Sequence, residues 1–324
     1  MVKKAILAIA LIGIGCIGVF VFFVGYEEDQ KMSQDTSSEE PSVEQKAETK
    51  DVRIYWTNRS GRIRRIRSDN SDIENLFTDV CSPIGIALDT SGDQMYWTSG
   101  CKIQRANFNG SNVEELVPSS EGIKEGIALD IGGNKMYWTI WGPVNKIQHA
   151  NLEGSNIEDI ITDLQSPRGI ALDVPNGKMY WADLGAGKIQ RANLDGSDIE
   201  DIITNLRGPN GIALDLDGNK IYWADEFSGK IQRANLDGSN LKTLFIRYGK
   251  LIGTAINIPL DILGLKIYYA NSPIGIALDV SGGKIYWTTP HTRKVQRANL
   301  DGSNIEDVVT DSILTIGIAL SISP

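Results

Sequence analysis

The chain has 324 residues, with 41 Asp and Glu against 32 Lys and Arg, and therefore carries a formal net charge of −9. This acidic balance argues against nucleic acid as a partner, because phosphate binding requires clustered Lys and Arg. The sequence has two His and three Cys, too few for a zinc-binding cluster, and we predict no metal site, no cofactor and no catalytic residue.

The first 25 residues predict a membrane anchor. After Lys3 and Lys4, residues 5–25 are uncharged and mostly apolar, which is long enough to cross about 30 Å of hydrocarbon. Since positive residues stay on the cytoplasmic side, we expect a single-pass protein at the cell membrane, with its N-terminus inside and the rest outside. Secretion after cleavage of a signal peptide is the alternative, although the apolar region of such a peptide is usually shorter.

Residues 26–50 are rich in Glu, Ser, Gln and Lys and have almost no large apolar side chains. Such a segment buries too little surface to offset the entropy of ordering. We predict a disordered acidic stalk.

A Tyr-Trp pair recurs six times in residues 51–324, at a spacing of roughly 42 residues except before the last copy. The copy over residues 211–245 divides into four short strands joined by Gly-rich turns, and Asp-Gly between two such runs is a hairpin signal. We predict one four-stranded blade per repeat, with a Trp wedged between neighbouring blades. These anchors are Trp56, Trp97, Trp138, Trp181, Trp223 and Trp287.

The two ends of this region complement each other. The first repeat begins in a second strand, at residues 53–56, and the sequence stops shortly after a first strand, at residues 317–320. Pairing the last strand with the first three would complete one blade and leave no inner sheet edge open. We therefore predict an all-β, six-bladed β-propeller that is closed by this pairing.

Three motifs recur with the Tyr-Trp pair: YW[TA], GIALD and RANLDGSN. In these motifs, residues 51–324 resemble the YWTD β-propellers of the low-density lipoprotein receptor family. In two respects the sequence departs from that family. The Asp after YW[TA] survives as Asp183 and Asp225, and the cysteine-rich modules of the receptors do not accompany the repeats. The resemblance therefore implies a receptor-like, extracellular, protein-binding propeller, but not lipoprotein uptake.

An insertion over residues 246–271 delays the last Tyr-Trp pair, and part of it looks like a degraded repeat. We interpret it as an apolar hairpin on one face of the ring, with a two-stranded seventh blade as the alternative.

Cys81 and Cys101 fall at the same end of one blade, which permits a disulfide in an extracellular setting. Two unpaired thiols are the other interpretation.

The repeats differ most at one face, where the turns between second and third strands meet the entries to the first strands. An exposed aromatic among Arg, Asn and carboxylates is typical of a recognition hot spot, although Trp141 and Phe227 could instead cover a neighbouring blade. The candidate binding residues are Arg59, Lys124, Glu125, Trp141, Arg168, Asn210, Glu226, Phe227, His291 and Arg293.

Two polar features allow a catalytic or a structural interpretation. His149 stands where the other repeats have Arg, and we interpret it as a blade-edge variant rather than a base. A repeated Asp ends the first strands and could ring the channel as a cation site. We favour the simpler view that each one caps its own hairpin by accepting backbone amides: Asp89, Asp130, Asp173, Asp215 and Asp279.

The function that follows is a membrane-tethered extracellular module that binds a protein or peptide through one face and is not an enzyme. A propeller enzyme of the lactonase or lyase type is one alternative. A passive structural domain of the cell surface is another, since the repeats are nearly identical.

Overall fold

The computed structural model describes residues 51–67, 73–100, 102–118, 122–246, 272–310 and 315–323. Within these ranges the chain is all-β and forms six antiparallel sheets of four strands. The sheets are the blades of a closed propeller, which confirms the predicted fold. Short 3-10 turns occur at Val174–Asn176 and Pro290–Thr292.

Blades 2 to 6 each use four consecutive strands, of which the first is innermost. Blade 2 is β4 (Pro83–Asp89), β5 (Gln94–Ser99), β6 (Lys102–Asn107) and β7 (Glu114–Val117). Blade 3 is β8 (Ile123–Asp130), β9 (Lys135–Trp141), β10 (Lys146–Asn151) and β11 (Glu158–Ile161). Blade 4 is β12 (Pro167–Asp173), β13 (Lys178–Asp183), β14 (Lys188–Asn193) and β15 (Glu200–Ile203). Blade 5 is β16 (Pro209–Asp215), β17 (Lys220–Asp225), β18 (Lys230–Asn235) and β19 (Lys242–Ile246). Blade 6 is β20 (Ile276–Asp279), β21 (Lys284–Thr289), β22 (Lys294–Asn299) and β23 (Glu306–Thr310).

Blade 1 joins the two ends of the propeller sequence. Its strands β1 (Asp51–Asn58), β2 (Arg62–Arg67) and β3 (Glu74–Phe77) are completed by β24 (Thr315–Ser323). The strands β1 and β24 are antiparallel, and their register runs from Asp51 opposite Ser323 to Asn58 opposite Thr315. The predicted pairing of the last strand with the first three is confirmed.

The inner strands approach one another too closely for a side chain at their Gly positions. A Cβ added to Gly211 would lie 2.2 Å from the carbonyl oxygen of Ile274 in the next blade, and one added to Gly317 would lie 2.1 Å from that of Ile84. These contacts explain why the GIALD motif begins with Gly at the axis of the ring.

The six Trp anchors are buried, with at most 1% of each side chain exposed. Each Trp packs against the preceding blade: Trp138 lies in one cluster with Tyr96 of blade 2, and Trp56 with Tyr286 of blade 6. Burying an aromatic side chain of about 200 Å² contributes up to ~5 kcal/mol. The Tyr-Trp pairs therefore hold neighbouring blades together.

The ring has two faces. We call upper the face that carries the turns from second to third strands and the connections from fourth strands to the next first strands. We call lower the face that carries the turns from first to second and from third to fourth strands. The predicted caps lie at the lower face, where Asp89, Asp130, Asp173, Asp215 and Asp279 each accept a backbone amide of their own turn. The hairpin-cap interpretation is confirmed.

In the described part of the chain, no helix is both long and apolar enough to cross a membrane. The predicted anchor over residues 1–25 and the stalk over residues 26–50 lie outside this part, as does the predicted hairpin beyond Ile246, up to residue 271. Cys81 is an exposed free cysteine, whereas Cys101 lies outside the described residues.

Candidate functional site

Three of the predicted binding residues form one cluster at the upper face, which we call the tryptophan cluster: Glu125, Trp141 and Arg168. One carboxylate oxygen of Glu125 accepts a hydrogen bond from Arg168 Nη1 at 2.7 Å. The other oxygen accepts one from Trp141 Nε1 at 3.0 Å. The guanidinium carbon of Arg168 lies over the Trp141 ring, 4.3 Å from its centroid. Each member therefore contacts both of the others.

Strand pairing and ring packing bring these three residues together. In blade 3, β8 pairs with β9, and Ile123 stands opposite Trp141; the register then shifts between Lys124 and Ile127, the segment that contains Glu125. Arg168 comes from β12 of the next blade. The backbone carbonyl oxygen of Arg168 accepts a 2.5 Å hydrogen bond from the hydroxyl of Thr139 on β9. The cluster thus spans the boundary between blades 3 and 4.

The ion pair of the cluster is largely shielded from solvent. The Arg168 side chain is 15% exposed and that of Glu125 is 12% exposed. An ion pair in such a setting is screened less than one on the surface, and removing one partner leaves a costly unpaired charge. Stacking of Arg168 on Trp141 adds a cation–π attraction. The arrangement holds Trp141 in one orientation at the upper face.

A second polar contact lies in blade 5. Asn210 on β16 donates from Nδ2 to Glu226 Oε2 at 3.0 Å. The adjacent Phe227 is 42% exposed and packs on Gly208, where an added Cβ would lie 2.8 Å from the ring. Phe227 therefore presents an aromatic surface to solvent beside a fixed amide and carboxylate.

Buried carboxylates shape the loops around these residues. Asp225 is 2% exposed and accepts the backbone amides of Arg207, Gly208 and Ser228 at 3.0–3.2 Å. Asp183 holds the corresponding loops of blade 4 through the amides of residues 165, 166 and 186. In these two blades an Asp follows the Tyr-Trp-Ala run, and it fastens the incoming connection to the following turn.

The structure corrects one of the predicted binding residues. Lys124 is fully buried, because neighbouring residues of a strand point to opposite sides and Glu125 already faces the cluster. Its side chain is therefore closed to a ligand in this structure.

The remaining predicted residues lie apart from the tryptophan cluster. Arg59 is exposed in the turn that follows β1. His291 and Arg293 are exposed in the turn of blade 6, where Arg293 takes a left-handed backbone conformation with φ of 60°. Among the described residues, the upper face thus carries two organised groups, in blades 3–4 and in blade 5, and separate basic residues on blades 1 and 6.

A narrow cavity of about 90 Å³ lies on the ring axis, lined by the inner strands and by Glu125 and Asn210. Sites for drug-sized molecules usually have volumes of about 300–1,000 Å³. Among the described residues, no group of three or more His, Cys, Asp or Glu side chains could hold a metal ion.

His149 lies on β10, away from the axis. Its Nε2 is 3.2 Å from Glu158 Oε2, as expected if His149 replaces the Arg that other repeats have at the blade edge.

The sequence indicated the members of the tryptophan cluster but not their mutual contacts. These contacts depend on the rotation between blades 3 and 4, which no local motif encodes. The signal for the loop-fastening role of Asp183 and Asp225 was present, because both follow the Tyr-Trp-Ala run of their blades.

Comparison with known families supports the recognition of the repeats. The family model described as low-density lipoprotein receptor repeat class B matches residues 134–174, 177–216 and 219–262. No curated protein matches the chain.

Several solved structures share the fold. A chain from the crystal structure of a nidogen/laminin complex superposes with a TM-score of 0.70 at 22% identity, covering 83% of this chain and 98% of that one. A putative TolB from Agrobacterium tumefaciens gives 0.61 at 12% identity, covering 85% and 99%. Virginiamycin B lyase from Staphylococcus aureus gives 0.56 at 16% identity, covering 84% and 87%. At these identities the likeness shows the fold alone, which hosts binding proteins and an enzyme.

Proposed function

Because the chain carries low-density lipoprotein receptor class B repeats in a six-bladed ring, we propose that it is a non-catalytic recognition module. Its upper face binds an extracellular protein or peptide. The observation that carries this proposal is the tryptophan cluster, in which Arg168 stacks on Trp141 while both donate to Glu125.

The chemistry of this cluster suits protein recognition. Trp, Tyr and Arg dominate the binding energy of protein interfaces, usually within a rim of weaker contacts. Trp141 and Arg168 are held by Glu125 before a partner arrives, so little side-chain entropy is lost on binding. Phe227 adds an exposed aromatic on the same face, in addition to the partly buried Trp141. The face therefore offers two anchors for a partner that spans blades 3–5.

The comparisons support a protein partner in a general way. The class B repeats are named for a receptor, and one similar propeller was solved in a complex named for nidogen and laminin. The likeness to that structure is one of fold, and the partner of this chain is defined by its own upper-face residues.

The membrane location is also a proposal, and it is supported by the sequence of residues 1–25. The chain is expected to sediment with membranes and to resist extraction by high salt. In intact cells, added protease should digest the propeller and spare the N-terminus. Recovery of a shortened propeller from the medium would instead favour the secreted alternative.

Partner capture by the full chain tests the function. Proteins that are secreted or exposed on cell surfaces would be cross-linked to the wild type and to the variants Trp141→Ala, Arg168→Ala and Phe227→Ala. The captured partner would then be titrated against each. We expect each variant to bind about tenfold more weakly or worse, as for interface hot spots.

Arg191→Ala provides the matched control. Arg191 forms an ion pair with Glu200 at an outer blade edge, just as Arg168 forms one with Glu125. It should bind like the wild type. Equal binding by all three upper-face variants would refute the proposal, and the absence of any captured protein would favour the passive structural alternative.

A further inference from the structure

The lower face carries a repeated set of exposed hydrophobic side chains. Among the described residues, eleven large hydrophobic side chains are exposed. Phe227 belongs to the upper face, and the other ten lie at the lower face. Single exposed apolar residues are normal on a protein surface, whereas a larger apolar patch rimmed by polar residues is typical of an interaction site.

Four of the ten form an inner ring, one on each of blades 3–6. Each directly follows the Asp that caps the turn from the first to the second strand, and each is 38–39% exposed: Ile131, Val174, Leu216 and Val280. The corresponding residue of blade 2 is Thr90. The inner ring therefore covers four consecutive blades.

The other six form an outer ring, one on each blade, at the start of the fourth strand. They are 41–50% exposed: Ile73, Val113, Ile157, Ile199, Leu241 and Ile305. Because the fourth strand is outermost, the outer ring lies near the rim of the lower face, and the inner ring lies nearer the axis.

The same face carries a set of carboxylates. The turns that lead to the outer ring expose five: Glu153, Asp195, Asp198, Asp237 and Asp301. In four of them a Ser two residues later donates its hydroxyl to the carboxylate, which lowers the pKa values of Glu153, Asp195, Asp237 and Asp301. These groups are ionised at neutral pH.

Several lysines at this face already have side-chain partners. Lys178, Lys220 and Lys284 donate to the side-chain oxygens of Asn193, Asn235 and Asn299 at 2.5–2.6 Å. Asp195, Asp237 and Asp301 accept the backbone amides of Ser197, Ser239 and Ser303. Lys178, Arg191 and Arg233 lie near enough to these three carboxylates to lower their pKa values further. The lower face thus combines aliphatic side chains with exposed carboxylates.

We propose that the lower face is a second docking surface, for a protein segment that combines aliphatic residues with Lys or Arg. Aliphatic side chains of the partner would cover the inner and outer rings, and its cations would meet the turn carboxylates. Charge complementarity selects this occupant, because a second copy of the chain would oppose the same carboxylates to each other. Anionic lipid or nucleic acid would be repelled in the same way.

Binding of a designed probe tests this surface. Fluorescence anisotropy would follow a labelled peptide of alternating Leu and Lys as the full chain in detergent is added, with a peptide of alternating Leu and Glu as the control probe. We expect the Leu-Lys peptide to bind and the Leu-Glu peptide to bind at least about tenfold more weakly.

Three variants identify the face that binds. The double change Val174→Ser and Leu216→Ser should weaken binding of the Leu-Lys peptide about tenfold, whereas Thr90→Ile extends the inner ring to blade 2 and should tighten it about twofold. Phe227→Ser removes an equally exposed apolar side chain from the upper face and should leave this binding unchanged. Thermal unfolding of each variant shows that the fold is retained.

Three results would overturn the proposal. The first is equal binding of the Leu-Lys peptide by the wild type and the double variant. The second is equal binding of both peptides. The third is a dimer of the full chain, seen by sedimentation, that the double variant abolishes, since this would make a second copy the occupant. None of these results bears on the upper face, whose test does not change Val174 or Leu216.

Discussion

The backbone amide of Gly317 donates a 2.9 Å hydrogen bond to the hydroxyl of Thr57, a residue 260 positions earlier in the sequence. The same hydroxyl donates to the carbonyl oxygen of Ile84 in blade 2 at 2.6 Å. One side chain thus joins the first strand, the last strand and the neighbouring blade. Thr98, Thr139 and Thr288 make the equivalent links in blades 2, 3 and 6.

Replacing Thr57 by Ala is expected to lower the free energy of unfolding by about 1–3 kcal/mol, since it removes one hydrogen bond and leaves the Gly317 amide without its acceptor. Urea denaturation would measure the change. Thr310→Ala, at an exposed position of β23, is the control and should cost little. A loss no larger than that of the control would show that the link contributes nothing to closure.

Replacing Gly211 by Ala is expected to destabilise the ring by about 1–3 kcal/mol, as overpacking usually does. The reason is the 2.2 Å approach of the new Cβ to the Ile274 carbonyl oxygen, a backbone atom of the next inner strand. Gly132→Ala is the matched control, because its nearest contact would be an ordinary 3.8 Å. Differential scanning calorimetry of the two variants would show a lower Tm for the first. Equal Tm values would contradict the inner-strand argument.

Replacing Asp225 by Ala is expected to cost about 1–3 kcal/mol, because it leaves three backbone amides near a buried site without their acceptor. It should also loosen the turn that carries Phe227. Hydrogen exchange at Gly208 and Ser228 would measure the loosening. Asp217→Ala, an exposed acid of the same blade, should leave both stability and exchange unchanged, and unaltered exchange in the first variant would refute the role of Asp225.

The turn carboxylates predict a pH dependence of stability. The pKa of Asp237 is lowered in the folded state because the Ser239 hydroxyl and amide donate to it. Because the pKa is lower in the folded than in the unfolded state, the ionised carboxylate stabilises the fold at a pH above the unfolded pKa, which is about 3.9. This stability is lost as the pH falls through the folded pKa. We expect Ser239→Ala to move the pKa of Asp237 upwards in a carboxyl NMR titration. The pKa of Asp195, which Ser197 lowers in the same way, is the internal reference and should not move.

The sequence predicted the architecture well because the information is local and repeated. The Tyr-Trp pair, the Gly of GIALD and the Asp-Gly turn each specify one element, and six copies specify six blades. The closure followed from the strand positions at the two ends, near Arg53 and Gly317. The capping role of residues such as Asp215 was likewise contained in a single turn.

The site was less predictable because it depends on contacts between blades. Arg168 reaches Trp141 and Glu125 across a blade boundary, and this geometry is set by the rotation of one sheet against the next. The sequence pattern predicts Lys124 at the binding face, whereas the structure buries it beside Glu125. Strand alternation alone could have assigned the two to opposite sides. In blades 3–6 the hydrophobic residue after the capping Asp, such as Leu216, is the local signal for the lower face.

The pairing of Asp51 with Ser323 gives the ring a characteristic response to mechanical force. The start of β1 and the end of β24 lie at the same end of two antiparallel strands. A load pulling these ends apart would break the hydrogen bonds between β1 and β24 one after another, as in unzipping, and not all at once, as in shear. The propeller should therefore open at low tension from its seam while the other five blades stay folded.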